Sequence, residues 1–244
     1  MVVIPRDAAT LILMRDVDRV SPGIEILLVR RHARSIFMPG AYVFPGGAVE
    51  TADYVPGVER ICQGLSFEQA QNIIADTSPP EKALGFFVAA IRETFEEAGI
   101  LLAYGENPKV VALSDDEKVR FAGYRKQVRK DPFSFHTIVE SEGLKLATEN
   151  LYYFAHWITP EFSPIRFDAR FFVSVAPSNQ EVLCDALETT DHVWISPKKA
   201  LKKQGADFIL APPTLANITV LAQFSSVDEV IAWTRDQDIL ANTG

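Results

Sequence analysis

Cysteine is scarce in this chain, with only Cys62 and Cys184 in 244 residues. Two are too few for a disulfide framework or a cysteine-based zinc site, and both read as ordinary thiols of a reducing compartment. No apolar run approaches the roughly 18 residues that a membrane-spanning helix needs. The opening Met-Val-Val-Ile-Pro-Arg-Asp has no basic segment followed by an apolar stretch, so no secretory leader is expected. The closing Ala-Asn-Thr-Gly is not a Ser-Lys-Leu-like peroxisomal address. The expected location is therefore the cytoplasm, with no membrane partner. Basic residues are outnumbered, 24 Lys and Arg against 32 Asp and Glu, for a net charge of −8. That balance argues against nucleic acid as a partner. The four histidines, His32, His136, His156 and His192, are scattered without ligand spacing, and none is assigned to a metal.

What is present is an ordinary globular balance, 48% apolar and 23% charged, in a chain long enough for a sizeable core. Its most informative stretch comes in two pieces. The first, Phe44-Pro45-Gly46-Gly47-Ala48-Val49-Glu50-Thr51-Ala52-Asp53, is a glycine-rich turn running into carboxylates. The second, Arg92-Glu93-Thr94-Phe95-Glu96-Glu97-Ala98-Gly99-Ile100, places glutamates at i, i+3 and i+4, which share one helix face. On the same helix Leu84, Phe87, Ile91, Phe95 and Ala98 form an apolar stripe opposite those carboxylates. Three like charges so close call for a cation between them. Oxygen donors in flexible geometry suit Mg2+ or Mn2+, ions that commonly bind a few carboxylates together with substrate phosphates.

Along the chain, residues 8–15 and Ile24 to Arg31 read as a hairpin of two strands around the turn Ser21-Pro22-Gly23. A loop from His32 to Gly40 carries Arg34. Between Asp53 and Arg92 lie 38 residues. Within them Ser66-Phe67-Glu68-Gln69 predicts a capping box opening a short helix. Ser78-Pro79-Pro80-Glu81 predicts the start of a longer helix, from about Pro79 to Ala98, closed by Gly99. The extra chain before it is expected to form a lobe beside the site (about 54–84). Ser114 caps a helix to about Lys130, and another covers Phe133 to Glu142. Strands are expected over Leu151–Trp157, Arg170–Val175 and His192–Ile195. A helix follows Ser196-Pro197, and a helical extension occupies about 210–244. This pattern fits one layered α/β domain over residues 1–244.

The two-part stretch resembles the box of the Nudix hydrolases, Gly-x5-Glu-x7-Arg-Glu-hydrophobic-x-Glu-Glu-x-Gly-hydrophobic. Gly47 matches its first glycine, Arg92 to Glu97 its central run, and Gly99-Ile100 its end. Asp53 stands where the box has glutamate, Thr94 stands at a position usually hydrophobic, and 38 residues replace a spacer of seven. Phe37 to Gly47, the interruption, Ala90 to Gly99, Trp157-Ile158-Thr159-Pro160, Arg166-Phe167-Asp168-Ala169-Arg170-Phe171-Phe172, Trp194-Ile195-Ser196-Pro197 and Leu210-Ala211-Pro212-Pro213 together resemble one subgroup. It is the peroxisomal-type coenzyme A diphosphatases, whose mammalian members carry a split box.

The resemblance implies an α/β/α sandwich with a mixed sheet, helices inserted in the box, and extra C-terminal helices. It implies hydrolysis of a phosphoanhydride in a nucleoside diphosphate linked to another moiety, here coenzyme A or an acyl-coenzyme A, giving 3′,5′-ADP and a phosphopantetheine product. Glu93, Glu96 and Glu97 would be metal ligands, joined by the Gly47 carbonyl, and Arg92 would orient them. One of these glutamates, or a carboxylate outside the box, would activate water. Glu188, just before the last expected strand, is one such candidate. For the substrate, Arg34, Arg166 and Phe44 are the candidate contacts, with Arg30 and Arg31 on opposite strand faces. Arg166, Asp168 and Arg170 are alternatively an ion-pair group. Phe162, Trp157 and Tyr42 are aromatic enough to stack an adenine, though core packing is the better default for each. Two other readings stay open: a pyrophosphatase of ADP-ribose, dinucleotides or nucleotide sugars, and a non-catalytic nucleotide-binding module. The apolar C-terminal helices leave room for a homodimer.

Overall fold

A computed structural model describes residues 3–17, 23–35, 38–107, 109–184 and 189–236. The hairpin turn at Ser21-Pro22, Glu188 and the last eight residues of the expected extension lie outside these. The organising strand is β1 (Arg6–Asp16). Its apolar run Leu11-Ile12-Leu13-Met14 has no polar alternation because both faces are covered, and all four side chains are buried. On one side β1 pairs in parallel with β8 (Phe167–Val175), from Arg6 opposite Phe167 to Met14 opposite Val175. On the other it pairs with β2 (Ile24–Arg31) only over Met14 to Asp16.

Where those two strands part, the segment 42–48 takes up both edges. Its first piece, β3 (Tyr42–Val43), bonds to β2, and its second, β4 (Gly46–Ala48), bonds to β1. Opening the hairpin in this way delivers Gly46 and Gly47 to the middle of the sheet. Antiparallel strands β7 (Tyr152–Ile158) on β8 and β9 (Thr189–Ile195) on β2 complete a mixed seven-stranded sheet.

Period-two alternation sends side chains to two cores. Leu11, Leu13, Leu27, Val29 and Phe172 face a cluster with α1 (Phe67–Ile73), α2 (Lys82–Ala98), α3 (Asp115–Lys130) and α4 (Phe133–Ser141). Ile12, Met14, Ile26, Leu28 and Val173 face a second cluster with α5 (Pro197–Lys203), α6 (Pro212–Leu221) and α7 (Val227–Asp236). Helix, sheet and helix form the three expected layers. A ribbon of β5 (Ala103–Tyr104) and β6 (Lys145–Leu146) lies apart from the main sheet. Among the described residues no helix is long and apolar enough to cross a membrane.

Several local expectations hold. Ser66 with Gln69 and Ser114 with Glu117 form reciprocal capping boxes, and Gly99 ends α2 in the left-handed region at φ +73°. The start of α2 differs from expectation: it begins at Lys82, not Pro79. A residue preceding proline is pushed away from helical backbone, so Pro79 before Pro80 cannot open the helix. The two prolines instead make a tight turn, their carbonyls accepting from Lys82 N and Ala83 N at 3.0 Å each.

The interruption packs into the core on the α2 side of the sheet. Val58, Ile61, Ala70 and Ile74 enter the α2-side core, Gln63 N donates to the Leu146 carbonyl, and Thr148 Oγ1 donates to the Gln63 carbonyl. With α3 and α4 it encloses α2, so residues 83–92 are buried on every face rather than along one stripe.

Its last turn is pinned by charge. Arg170, buried on β8, donates two hydrogen bonds to Asp76 at 2.9 and 2.8 Å and also contacts Asp168, whose Oδ1 lies 2.5 Å from His156 Nε2. Arg166 takes no part in this group, contrary to expectation. Burial raises the Asp76 carboxyl, but the hydrogen bonds and charge of Arg170 outweigh it and set the group below its ordinary value. A depressed folded pKa gives stability that is present above the unfolded value near 3.9 and lost as pH falls below it. Asp76→Asn is therefore expected to cost about 1–2 kcal/mol at pH 7, less than for a fully enclosed pair because Asp76 is largely exposed. The melting-temperature difference from wild type should close below about pH 4.

Candidate active site

Arg92 organises the glutamate-bearing end of α2. A guanidinium has five N–H donors, and each has an acceptor here. Nε donates to Asp53 Oδ1 at 2.7 Å, and Nη2 to Asp53 Oδ2 at 2.8 Å and the Ala48 carbonyl at 2.9 Å. Nη1 donates to Glu93 Oε1 at 2.9 Å and Glu96 Oε1 at 2.7 Å. Asp53 reaches this position from a 3-10 turn over Thr51–Tyr54 and also accepts from Glu50 N at 2.8 Å. The aspartate standing where the resembled box has glutamate is thus the bidentate partner of Arg92, with both side chains almost completely buried. Burial opposes the charge of Arg92, yet the bonds and charge of Asp53, with Glu93 and Glu96, hold its pKa above the ordinary value.

The third glutamate is fixed from the other side. Gly46 N donates to Glu97 Oε2 at 3.1 Å. Next to it, Gly47 lies so close to Glu93 that a Cβ on it would fall 2.6 Å from that carboxyl group. Only glycine leaves this gap open. Thr94, at the position usually hydrophobic, is fully buried and donates to the Ala90 carbonyl at 2.7 Å, so its hydroxyl is satisfied within the helix.

Three carboxylates, Asp53, Glu93 and Glu96, contact one guanidinium, so negative charge is in excess. Glu93 bears that excess. Burial pushes its carboxyl up to about 8, with Arg92 lowering it and Glu96 and Asp53 raising it further. Among the described residues no three acidic, histidine or cysteine side chains converge on one point as a closed cage. The bonds explain this, since Arg92 draws Glu93 and Glu96 by one oxygen each while Glu97 turns to Gly46. The donor set nevertheless suits a hard divalent cation: carboxylate oxygens in excess negative charge beside a backbone turn stripped of side chains.

Other candidate residues are placed elsewhere. Phe44 is buried in the second core, in the same apolar cluster as Ile12 and Met14. Arg166 is buried as a strut, donating to the Thr159 and Val3 carbonyls at 2.9 and 2.7 Å. Arg34 is exposed on the β2–β3 loop, where its backbone N donates to His32 Nδ1. Arg30 lies over Tyr42, which stacks on Phe208 with ring centroids 4.3 Å apart. Phe162 is 90% exposed and Trp157 partly so, and neither adjoins the glutamates in any observed contact.

Sequence reasoning missed Arg125 and Arg129, which both donate to the Glu96 carbonyl, and Thr189, which donates to that of Glu97. The one available signal was the i, i+4 arginine pair on α3.

Two tests follow from these contacts. Asp53→Asn leaves a buried guanidinium short of its counter-charge and should cost about 3–5 kcal/mol in urea unfolding. For Glu93 the sign is opposite, because an acid whose folded pKa is raised loses stability as pH climbs from its unfolded value near 4.3 to the folded one. In metal-free protein, Glu93→Gln should raise the melting temperature at pH 8–9, with no gain near pH 4.

Comparison with known proteins shows the family and the fold. The model of the NUDT19 Nudix domain matches residues 5–221. The acyl-coenzyme A diphosphatase NUDT19 of Xenopus laevis is 30% identical over 236 residues, covering 84% of this chain and 62% of the relative. The protein of the same name from Homo sapiens is 29% identical over 237 residues, covering 85% and 63%. This chain thus spans less than two thirds of the length of either. A crystal structure of a Nudix hydrolase from Alicyclobacillus acidocaldarius superposes with a TM-score of 0.72 at 24% identity, covering 94% of this chain and 96% of that one. That likeness establishes the fold.

Proposed function

The chain belongs to the NUDT19 Nudix domain family, and from that premise we propose that it hydrolyses the phosphoanhydride of coenzyme A or an acyl-coenzyme A, releasing 3′,5′-ADP and (acyl-)phosphopantetheine. The observation that carries this reading is the trio Glu93, Glu96 and Glu97 held on α2 by Arg92 and Gly46 against a bare glycine turn. The names of the frog and human relatives support the choice of substrate.

Glu93, Glu96 and Glu97, with the Gly47 carbonyl, would hold Mg2+ or Mn2+. Such an ion, when bound, neutralises phosphate oxygens and lowers the pKa of water. The protein's own contribution is placement. Arg92 fixes one oxygen each of Glu93 and Glu96, Gly46 N–H fixes one of Glu97, and Gly47 keeps the neighbouring space clear. In the reaction a water oxygen bonds to one phosphorus while the bridging P–O bond breaks. A carboxylate of the cluster takes the water proton, and the departing phosphate leaves with the bridging oxygen. Because four Arg92 donors hold carboxylates and the fifth the Ala48 carbonyl, Arg92 acts as the orienter of the carboxylates, without a donor left for phosphate.

The test is a substrate panel with Mn2+ and product identification. Coenzyme A should yield 3′,5′-ADP faster than ADP-ribose yields AMP. The reverse order would move the substrate to ADP-ribose, and no turnover of any diphosphate would remove the enzymatic reading. Glu97→Gln should lower kcat by about two to three orders of magnitude with the fold retained, as for loss of one preorganised electrostatic group.

A further inference from the structure

The end of α2 is capped in an unusual way. The last four carbonyls of a helix have no partner within it, and here these belong to Phe95, Glu96, Glu97 and Ala98. All four are satisfied, three of them by groups from distant elements. Gly99 N donates to the Phe95 carbonyl at 3.0 Å, and Leu183 N to that of Ala98 at 2.8 Å. Thr189 Oγ1, from β9, donates to the Glu97 carbonyl at 3.0 Å. The Glu96 carbonyl accepts from two guanidinium groups on α3, Arg125 Nη2 at 2.8 Å and Arg129 Nη2 at 3.1 Å.

Two further observations single out Arg125. On α3 the buried residues are Phe121, Val128 and Arg125. Arginine is seldom buried unless its charge has a specific use. Gly99 also makes way for it, since a Cβ on Gly99 would lie 3.0 Å from Arg125 Nη1. Cations at a helix C-terminus offset the negative end of its dipole, and this terminus is the one that carries the excess carboxylates.

We propose that Arg125, assisted by Arg129, is a positioning residue for the hydrolysis assigned above. By gripping the Glu96 carbonyl it locks the final turn of α2, and with it the Cα positions from which the Glu96 and Glu97 carboxylates reach the cation. Helix ends fray when their carbonyls are unpaired, and a displacement of about 1 Å in a catalytic group can cost about a hundredfold in rate. Groups that orient metal ligands from behind typically contribute 10–100-fold to metal affinity or activity. The inference rests on the Nudix reading of the site but not on the identity of the substrate.

The experiment uses the full chain and Mn2+ alone, with binding followed by electron paramagnetic resonance, beside kcat and KM for coenzyme A. Arg125→Met keeps most of the buried stem and removes the donors; it should weaken Mn2+ binding about tenfold and lower kcat while KM stays near wild type. Arg125→Lys, with one donor in reach of the carbonyl, should recover most of the loss. Arg129→Met, removing the longer bond, should weaken binding two- to threefold. Wild-type Mn2+ affinity in Arg125→Met with only a lower melting temperature would mean a purely structural cap and would sink the proposal. So would Arg125→Lys no better than methionine, or a wild-type chain that binds no Mn2+. Should Arg125→Met not fold, Arg129→Met decides by the same binding measurement. A wild type that binds Mn2+ but leaves coenzyme A intact would overturn the substrate reading alone, and the binding series would still test the positioning.

Discussion

The contact between Arg92 and Asp53 is the constraint on which the site depends. It is buried, bidentate and joins segments 39 positions apart in sequence. Without Asp53, Arg92 would hold two glutamates with only the Ala48 carbonyl to fix its plane. With it, the guanidinium becomes a rigid bracket whose remaining donors select one oxygen of Glu93, one of Glu96 and the Ala48 carbonyl. A buried ion pair is weak evidence for stability, since desolvation offsets much of the attraction. Its use here is geometric: it converts a crowd of like charges into an ordered set.

That ordering requires an unyielding platform, and the fold supplies one. α2 is enclosed between the sheet and a shell made of the inserted segment, α3 and α4, so its interior residues pack on every side. Burial above all, with the charges of Glu96 and Asp53 added, raises the proton affinity of Glu93, whose carboxyl is pushed up to about 8. Active sites commonly retain such unfavourable electrostatics because the surrounding packing over-determines the structure. The parting of β1 from β2 serves the same end, since it admits Gly46 and Gly47 between them and brings backbone against Glu93 and Glu97.

The long interruption of the box has a structural role that its position in sequence conceals. It follows directly on Asp53, which holds Arg92, and supplies Asp76, which holds Arg170 on β8. Between them it closes the core over α2. An insertion that would be expected to hang beside the site is thereby part of what keeps the site fixed.

Features decided by near neighbours were legible in the sequence. The apolar runs of β1 and β2, the capping boxes at Ser66 and Ser114, and the glycine that ends α2 follow from sterics and hydrogen bonds within a few residues. So was the grouping of Glu93, Glu96 and Glu97, because helical spacing puts them on one face, while the role of Arg92 beside them came from the resemblance to the box. Local rules failed where two competed: Ser78 resembles a cap, but Pro79 before Pro80 forbids the helix from starting there. What tertiary structure alone decided was which distant side chains meet. Asp53 became the partner of Arg92, Phe44 went into the core, Arg166 became a strut on backbone carbonyls, and Arg125 crossed from α3 to the Glu96 carbonyl. Sequence determines the chemistry a segment can offer, whereas a contact between segments depends on how whole layers pack, and that sum of many small packing forces has no local signature.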